Sequence, residues 1–374
     1  MFGDGKVKNQ IFYIRLAVLL LVALLGLTGI LSIAVSNQSA AEPLAMVWKQ
    51  LFRLVVGVVV LYGASQISFE RWKKLFPFCA LFFFILLLLL LNFGVRVNGM
   101  RGWFRYGGTG FQPSEPGKVF FLAGLVLLHT HPRLCAMKEW KRVLITVIYT
   151  LCWIGVLLLQ PDMGTAAIYG ATFIITLALS RIKWRYIFFL IFSGVISFIA
   201  AVLAHPYAMR RIEGFLYPEL DPLGKGWHLR QFLFAASRGE WFGVKSSNAV
   251  WSRGYLPFAL NDSAFAAITE TLGAVGASLI PLGFMVLAGI MFFCGDRLDK
   301  YPDRRIFVIS AGFMMIFQSF LHISINIGLF PITGITLLFV SYGGSSIISG
   351  ALLAGIALSA INTGKETSSV EVNH

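Results

Sequence analysis

The sequence predicts an all-α, polytopic integral membrane protein with ten transmembrane helices and a large outer loop between helices 7 and 8. Three observations predict this fold class: the composition, the length of the apolar runs and the placement of the charges. Of the 374 residues, 57% are hydrophobic, and the mean hydropathy is +0.77. A soluble domain needs more polar residues than this to cover its surface. We therefore interpret residues 1–374 as a single membrane domain.

The apolar runs recur from end to end, and many approach the roughly 20 residues that an α-helix needs to cross a bilayer. The first run is too long, and too closely followed by the second, to be a cleaved signal peptide. The predicted spans lie near 14–35, 47–66, 75–94, 114–131, 142–160, 162–180, 184–204, 264–294, 306–329 and 337–361.

The net charge of +14 follows this topology. More than half of the 31 Lys and Arg residues lie in or beside six segments, which are 1–13, 67–74, 132–141, 181–183, 295–305 and the C-terminal tail. The short connections at 36–46, 160–163 and 330–336 contain no Lys or Arg. This positive-inside pattern places both termini in the cytoplasm and requires an even number of spans. The basic excess is thus a topology signal, and no nucleic-acid partner is expected.

Two predicted outer segments interrupt the series of spans. The first is 95–113, and the second, much longer, runs from about 205 to 263. A loop of that length is usually functional or disordered, and its many Trp, Phe and Tyr residues argue against disorder. We expect short amphipathic helices at the outer membrane surface in this loop. The polar tail at about 363–374 is expected to be disordered.

Four acidic residues lie at, or just inside, the outer ends of predicted spans: Glu115, Asp162, Asp262 and Glu270. An ionisable residue at membrane depth is costly, so a function or a charged partner is the default hypothesis. Asp162 could instead cap a helix, and Glu115 could pair with Lys118 three residues later. Glu270 lies two turns into its helix, where a cap does not explain it.

The stretch 326–346 is also unusually polar for membrane-helix ends. Close helix packing through small residues explains its serines and glycines when they are taken alone. All of these features nevertheless face the outer side. Composition supports two interpretations: a transporter or flippase with an ionisable central path, and an enzyme that acts on a lipid-linked substrate at the outer surface.

Five short blocks of sequence occur in a fixed order. They are "FQPSEPGK" (111–118), "QPDMGTA" (160–166), "FLYPELDPLGKGWHLRQ" (215–231), "YLPFALNDSAFAAITETLG" (255–273) and "NIGLFPITGITLLFVSYGGSS" (326–346). In order and spacing these blocks resemble the signature motifs of the SEDS family, which includes the FtsW, RodA and SpoVE proteins of bacterial cell-wall synthesis. The segment 238–257 is more similar to the FtsW type than to the RodA type.

The resemblance implies peptidoglycan glycosyltransferase activity, in which lipid II is polymerised into glycan strands outside the membrane. A sugar hydroxyl needs a base, and a leaving diphosphate needs cations. Asp262 stands at the family position of the catalytic base. The residues expected to bind substrate are Arg211, Arg210, Lys118, Glu115, Arg101, Gln231, Ser345 and Ser346. Those expected to be structural or to line the cavity are Glu270, Asp162, Gln112, Gln160 and Asn326.

The same resemblance implies partners and a location. The partners are lipid II, a class B penicillin-binding protein and proteins of the divisome or elongasome, and the location is the bacterial cytoplasmic (inner) membrane. No metal-ligand cluster is evident in the sequence, so a divalent cation would be held weakly between the substrate and Asp262. The alternative function is a lipid II flippase.

Overall fold

The computed structural model describes residues 4–36, 43–97, 99–107, 109–204, 206–244, 249–256 and 260–363. Apart from Thr363, the predicted disordered tail lies outside the described residues. The helices are α1 (Asp4–Ser36), α2 (Pro43–Gln66), α3 (Phe69–Phe93), α4 (Ser114–Thr130), α5 (Pro132–Cys135), α6 (Glu139–Leu159), α7 (Met163–Leu179), α8 (Trp184–Ala204), α9 (Pro206–Leu216), α10 (Trp227–Arg238), α11 (Ala264–Asp296), α12 (Pro302–Asn326) and α13 (Gly344–Ile361).

Long apolar helices dominate the fold. Within the described residues, seven helices are long and apolar enough to cross a bilayer, namely α1, α2, α3, α6, α11, α12 and α13. Shorter apolar stretches occur in α7 and α8, and α4 has 17 residues. Each predicted span overlaps one of these helices, but the last, predicted from residue 337, becomes helical only at Gly344. The polytopic helical fold is confirmed, whereas bilayer crossing by α4, α7 and α8, and with it the count of ten, stays a prediction.

The segments predicted to lie inside meet at one end of the bundle. Lys73 Nζ lies 2.7 Å from Asp303 Oδ2, which joins the start of α3 to the start of α12. Lys183 Nζ lies 3.5 Å from Glu139 Oε2, which joins the α7–α8 connection to α6. We call this the basic end of the bundle.

The segments predicted to lie outside meet at the opposite end, which we call the cavity end. The backbone N–H of Arg101 donates to the carbonyl of Gln160 at 3.3 Å. Arg211 Nη1 donates to the carbonyl of Ile332 at 2.9 Å, which joins α9 to the connection between α12 and α13. Both sets of contacts agree with the topology that the positive-inside pattern predicts.

The first predicted outer segment contains a small antiparallel sheet at the cavity end. Its strands are β1 (Val95–Val97), β2 (Met100–Tyr106) and β3 (Thr109–Phe111), in the order β1-β2-β3. The sheet is an addition to the predicted helical fold. The dipeptide Asn98-Gly99, between β1 and β2 in the sequence, is typical of hairpin turns, and it could have predicted this sheet.

The second predicted outer segment, about 205–263, contains α9, α10 and a π-helical turn at Trp251–Tyr255. We call it the covering segment, because it packs against a break in α11. The break is at Gly273, with φ 71° and ψ 178°, a conformation that favours glycine. Beyond the break, the backbone N–H of Ala274 donates to the carbonyl of Glu240 at 2.8 Å. The part of α11 between its start at Ala264 and the break at Gly273 is therefore held in place by the covering segment.

Burial is uneven around the bundle. Helices α4, α12 and α13 are largely buried, whereas α8 packs against α7 and α9 and leaves most of its surface exposed. Exposed apolar side chains along α8 include Phe188, Phe192 and Leu203. In a bilayer these side chains contact lipid, so α8 forms the loosely packed side of the molecule.

Candidate active site

A cavity of ≈ 1070 Å³ lies at the cavity end. Its wall is built by α2, β2, α9, α10, the turn before α11 and the connection between α12 and α13. The Arg and Lys side chains in this wall are Arg53, Arg105, Arg210, Arg211 and Lys225. Among the described residues, Asp262 is the only acidic one in the wall. The balance of charge therefore favours an anionic ligand.

Asp262 lies in the turn before α11, and α12 holds its backbone. Asn326 Nδ2 donates to the carbonyl of Asp262 at 3.0 Å. Asn326 Oδ1 accepts a hydrogen bond of 3.1 Å from the backbone N–H of Ala266, in the first turn of α11. The fully buried Asn326 thus ties the turn and the helix together. This placement agrees with the structural role expected for it.

The environment of the Asp262 carboxyl brings its pKa close to neutral pH. Burial in the cavity wall raises this pKa to about 6, and the positive charge of Arg211 opposes the shift. Burial also lowers the pKa of His228 on α10, and repulsion from Arg211 adds to that effect. A carboxylate with a pKa just below neutral pH is suited to accept a proton in a reaction at neutral pH.

Four buried polar side chains lie behind the wall, and we call Glu115, Lys118, Gln318 and Thr336 the Lys118 cluster. Lys118 Nζ lies 2.5 Å from Glu115 Oε2 and 2.6 Å from Gln318 Oε1. The Thr336 hydroxyl donates to Glu115 Oε1 at 3.2 Å. The predicted ion pair is therefore present. Of these four residues only Thr336 lines the cavity, and a substrate contact of Glu115 or Lys118 stays a prediction.

Ser345 and Ser346, at the start of α13, bond to neighbouring parts of the protein. Ser345 Oγ accepts a hydrogen bond of 3.1 Å from the backbone N–H of Gln112. Ser346 Oγ lies 3.0 Å from Thr336 Oγ1. Gln112 and Thr336 line the cavity, whereas the two serines lie one layer behind it. Their contacts in the structure are thus with the wall itself.

Arg101 fastens β2, and Gln160 fastens the end of α6, to the last turns of α3. Arg101 Nη1 donates to the carbonyl of Leu91 at 2.7 Å, and Gln160 Nε2 donates to the carbonyl of Leu87 at 2.7 Å. Gln160 makes a structural contact, and the structural role expected for it stays a prediction. Arg101, which was expected to bind substrate, makes structural contacts and does not line the cavity.

Glu270 holds the covering segment onto α11. Its Oε1 accepts from the backbone N–H of Trp251 at 3.1 Å, and its Oε2 accepts from that of Ser252 at 2.6 Å. Gln231 acts on the same turn, because its Oε1 accepts from Trp251 Nε1 at 2.8 Å. Glu270 therefore makes structural contacts, and the structural role expected for it stays a prediction. Gln231, expected to bind substrate, makes the same kind of structural contact.

Asp162 caps a helix, which is the alternative that its position at a helix start left open. Its Oδ1 accepts a hydrogen bond of 3.1 Å from the backbone N–H of Thr165, in the first turn of α7. The side chain is buried behind Pro161, which lines the cavity. Asp162 thus shapes the wall by fixing the start of α7.

Four basic or histidine side chains in the wall were missed in the sequence: Arg53, Arg105, Lys225 and His228. Arg53 lies inside an apolar predicted span, and an arginine at that depth could have indicated a functional role. Its guanidinium lies 4.2 Å from the centre of the Tyr342 ring, and its Nη1 is buried without a hydrogen-bond partner among the described residues. Arg53 thus adds a cation from α2, far in sequence from Arg211.

Among the described residues, no group of three His, Cys, Asp or Glu side chains is placed to hold a metal ion. Arginine and lysine side chains supply the positive charge around Asp262. A divalent cation held between Asp262 and a substrate stays a prediction.

Fold and cavity together define a class: a multi-pass helical membrane protein with a cationic cavity at one end and the Asp262 carboxylate in its wall. The chain belongs to the FtsW/RodA/SpoVE family, because the family model described as "Cell cycle protein" matches residues 12–366. This confirms the resemblance seen in the sequence.

Two relatives support the assignment. "Probable peptidoglycan glycosyltransferase FtsW" of Pseudoalteromonas translucida is 34% identical over 307 residues, 82% of this chain and 77% of the relative. The protein of the same name from Hydrogenovibrio crunogenus is 30% identical over 366 residues, 95% of this chain and 92% of the relative.

Solved structures agree with the fold. A chain from a structure described as "Structural coordination of polymerization and crosslinking by a peptidoglycan synthase complex" superposes with a TM-score of 0.76 at 26% identity, covering 93% of this chain and 98% of that one. The Thermus thermophilus rod shape determining protein RodA gives 0.68 at 22% identity, with 92% and 95% covered, and it supports the fold alone.

Proposed function

We propose that this protein is a peptidoglycan glycosyltransferase that polymerises the disaccharide units of lipid II at the outer face of the bacterial cytoplasmic membrane. The observation that carries the proposal is Asp262, which in the described part of the chain is the one acidic residue among several cations in the wall of a large cavity. The relatives named peptidoglycan glycosyltransferase FtsW support the same conclusion.

The reaction joins two lipid-linked sugars. A hydroxyl of one sugar attacks the anomeric carbon of the other, and the bond from that carbon to the diphosphate breaks. Asp262 accepts the hydroxyl proton, and its pKa of about 6 leaves it ionised and basic at neutral pH. Undecaprenyl diphosphate leaves with the bonding electrons as an anion, so it needs cations and no general acid.

Arg210 and Arg211 are the proposed partners of the leaving diphosphate. They are neighbours on α9, and both line the cavity that contains Asp262. A planar guanidinium can donate two parallel hydrogen bonds to a phosphate, a geometry that lysine does not reproduce. Arg53, on the α2 side of the same cavity, is available to a second anionic group.

The fold suits a substrate that stays anchored in the bilayer. Helix α8, with its exposed apolar side chains, precedes α9 directly, so lipid and cavity wall are neighbours here. An undecaprenyl chain can remain among the lipids while its diphosphate-sugar head enters the cavity.

A lipid II flippase is the less favoured alternative. A flippase must move a polar head group through the core of the bundle. Behind the cavity wall, that core is filled by the buried and mutually bonded Lys118 cluster. An enzyme that works at one membrane face needs no path through this region.

The partners and location follow from the same proposal. We infer a class B penicillin-binding protein as partner, within a divisome or elongasome, and we favour the division role because the named relatives are FtsW proteins. The likeness to a chain of a peptidoglycan synthase complex supports this. The predicted inner-membrane location, with both termini in the cytoplasm, belongs to the same proposal.

The test is polymerisation of purified lipid II in detergent micelles, with and without the cognate penicillin-binding protein. A detergent micelle does not separate two aqueous compartments, so transport of lipid II cannot produce a signal. We expect glycan strands that a muramidase digests. If no strands form in either case, while the same protein moves lipid II across the membrane of sealed vesicles, the flippase is correct and the proposal is wrong.

A further inference from the structure

A second cavity, of ≈ 400 Å³, opens on the side of the bundle near the basic end. It lies between α3, α4 and α6, and we call it the α3–α4–α6 groove. Apolar side chains such as Leu81, Leu127 and Trp153 line it, and His131 and Leu134 close it towards the basic end. It lies outside the candidate active site.

The groove has a defined shape because α4 and α6 approach closely at one point. A Cβ at Gly124 of α4 would lie 2.2 Å from the Tyr149 hydroxyl, so a larger residue would displace the Tyr149 ring, which lines the groove. Cys152 and Leu81, which line the groove, are exposed. In the membrane the groove therefore opens towards lipid acyl chains.

Positive charge is concentrated where the groove meets the basic end. Arg142 precedes Tyr149 by seven residues and Trp153 by eleven, so it lies on the groove-lining face of α6. Its Nε is buried without a hydrogen-bond partner among the described residues. Arg133 is exposed, and in sequence it lies between His131 and Leu134, which line the groove.

The nearby acid does not cancel these charges. Glu139 accepts a hydrogen bond of 2.6 Å from the backbone N–H of Lys183, and Lys183 Nζ lies 3.5 Å away. Trp140, beside it, is 49% exposed, and an exposed tryptophan at a helix end marks the depth of the lipid head groups. Arg142, two residues after Trp140 on α6, therefore lies near the depth of a lipid phosphate.

We propose that the α3–α4–α6 groove binds an anionic phospholipid of the leaflet at the basic end, with an acyl chain in the groove and the phosphate against Arg133 and Arg142. A zwitterionic lipid has the same chains but carries its own cation, which repels these arginines. The proposal depends on the membrane fold and is independent of the glycosyltransferase activity.

Native mass spectrometry of the full chain, released from detergent after incubation with phosphatidylglycerol and phosphatidylcholine of matched chains, tests the head group. We expect preferential retention of phosphatidylglycerol. Arg133→Gln and Arg142→Gln should each reduce that preference about fivefold, the effect expected of one basic residue near an anionic surface. Lys300→Gln, an exposed lysine elsewhere at the basic end, should leave it unchanged.

A second pair of variants tests the groove itself. Cys152→Trp fills the groove from an exposed position and should abolish retention, whereas Leu151→Trp, exposed on α6 outside the groove, should retain the lipid. The proposal is overturned if the unmodified protein holds both lipids equally, an outcome that does not depend on any variant folding. It is also overturned if folded Cys152→Trp retains phosphatidylglycerol like the unmodified protein.

Discussion

The cavity and the Lys118 cluster behind it both contain charged side chains inside a membrane protein, but these side chains differ in how far the protein bonds to them. In the cluster, Lys118 and Glu115 are buried and bonded to each other and to Gln318 and Thr336. In the cavity, Asp262 is half-buried, and its carboxylate accepts no hydrogen bond from the described residues. The cluster is satisfied by the protein, whereas the Asp262 carboxylate is left to a ligand.

This difference separates structural charges from functional ones. A buried charge without a partner is costly, so a satisfied pair tells us mainly that the fold needs both members. A carboxylate that the fold holds by its backbone, and leaves unbonded at the side chain, retains its ability to take a proton. Substitutions in the cluster should therefore affect folding, and substitutions in the cavity should affect turnover.

The largest effect is expected for Asp262→Asn. The change keeps the shape of the side chain and removes its basicity, so polymerisation of lipid II should fall by about 10²- to 10⁴-fold, the usual contribution of a general base. Folded yield and thermal unfolding in detergent should match the unmodified protein. Glu219→Gln, an exposed acid in the same covering segment, is the control and should keep full activity. Substantial activity in Asp262→Asn would remove Asp262 from the mechanism.

The next effect concerns the Lys118 cluster. Lys118→Met or Glu115→Gln alone strands a buried partner, which should lower the free energy of unfolding by about 3–5 kcal/mol. The double variant should lose less than the sum of the two. Thermal unfolding of all three variants in the same detergent measures the coupling. Additivity within about 0.5 kcal/mol would contradict a direct pair.

A smaller effect is expected for Arg211→Lys. The charge is kept, but the two-pronged contact with a diphosphate is lost, as is the bond to the Ile332 carbonyl. Turnover should fall roughly tenfold or more, the value of a charge-assisted hydrogen bond. Arg230→Lys, whose side chain pairs with Glu219 at the surface, is the matched control and should be neutral. Equal rates in the two variants would place the diphosphate contact elsewhere, with Arg210 and Arg53 as the next candidates.

The smallest effect is a pH dependence. Asp262 acts as a base only when ionised, and its pKa is about 6. As the pH falls below 6 the carboxyl becomes protonated, so kcat/KM for lipid II should fall about tenfold per pH unit. Arg211 lowers this pKa, so Arg211→Gln should move the fall in activity to higher pH. A profile that is flat between pH 5 and 7 would show that Asp262 does not titrate in the reaction.

The candidate site could be predicted in part from short-range signals. Asp262, Arg210, Arg211 and Gln112 line the cavity, and each lies in a motif block or beside one. Glu115 and Lys118 were predicted as a pair because three residues along a helix bring two side chains to the same face. Arg53 and Arg105 were missed because their motif context is weak and only packing brings them to the same wall.

Neither the depth of a residue in the wall nor its bonding partners could be predicted. Ser345, Ser346 and Gln231 belong to the motif blocks, and Arg101 lies ten residues before the first block, yet each bonds to a neighbouring part of the protein. Polar residues that build a site and those that touch its ligand have the same composition. They differ in whether the fold brings a distant part of the protein into hydrogen-bonding distance of the side chain.

The sequence by itself determined the class of the protein. The length of the apolar segments and the positions of the basic residues are local properties, and they decide which segments enter a bilayer and in which orientation. Its motif blocks also identified the family. Only the tertiary structure decided which acidic side chain is bonded within the protein and which faces the cavity. Asp262 and Glu270 lie eight residues apart, but Glu270 receives two backbone N–H groups from the covering segment, while the Asp262 side chain faces an open cavity. Solvation and hydrogen bonding set the chemistry of a carboxylate, and both depend on neighbours that are distant in the chain.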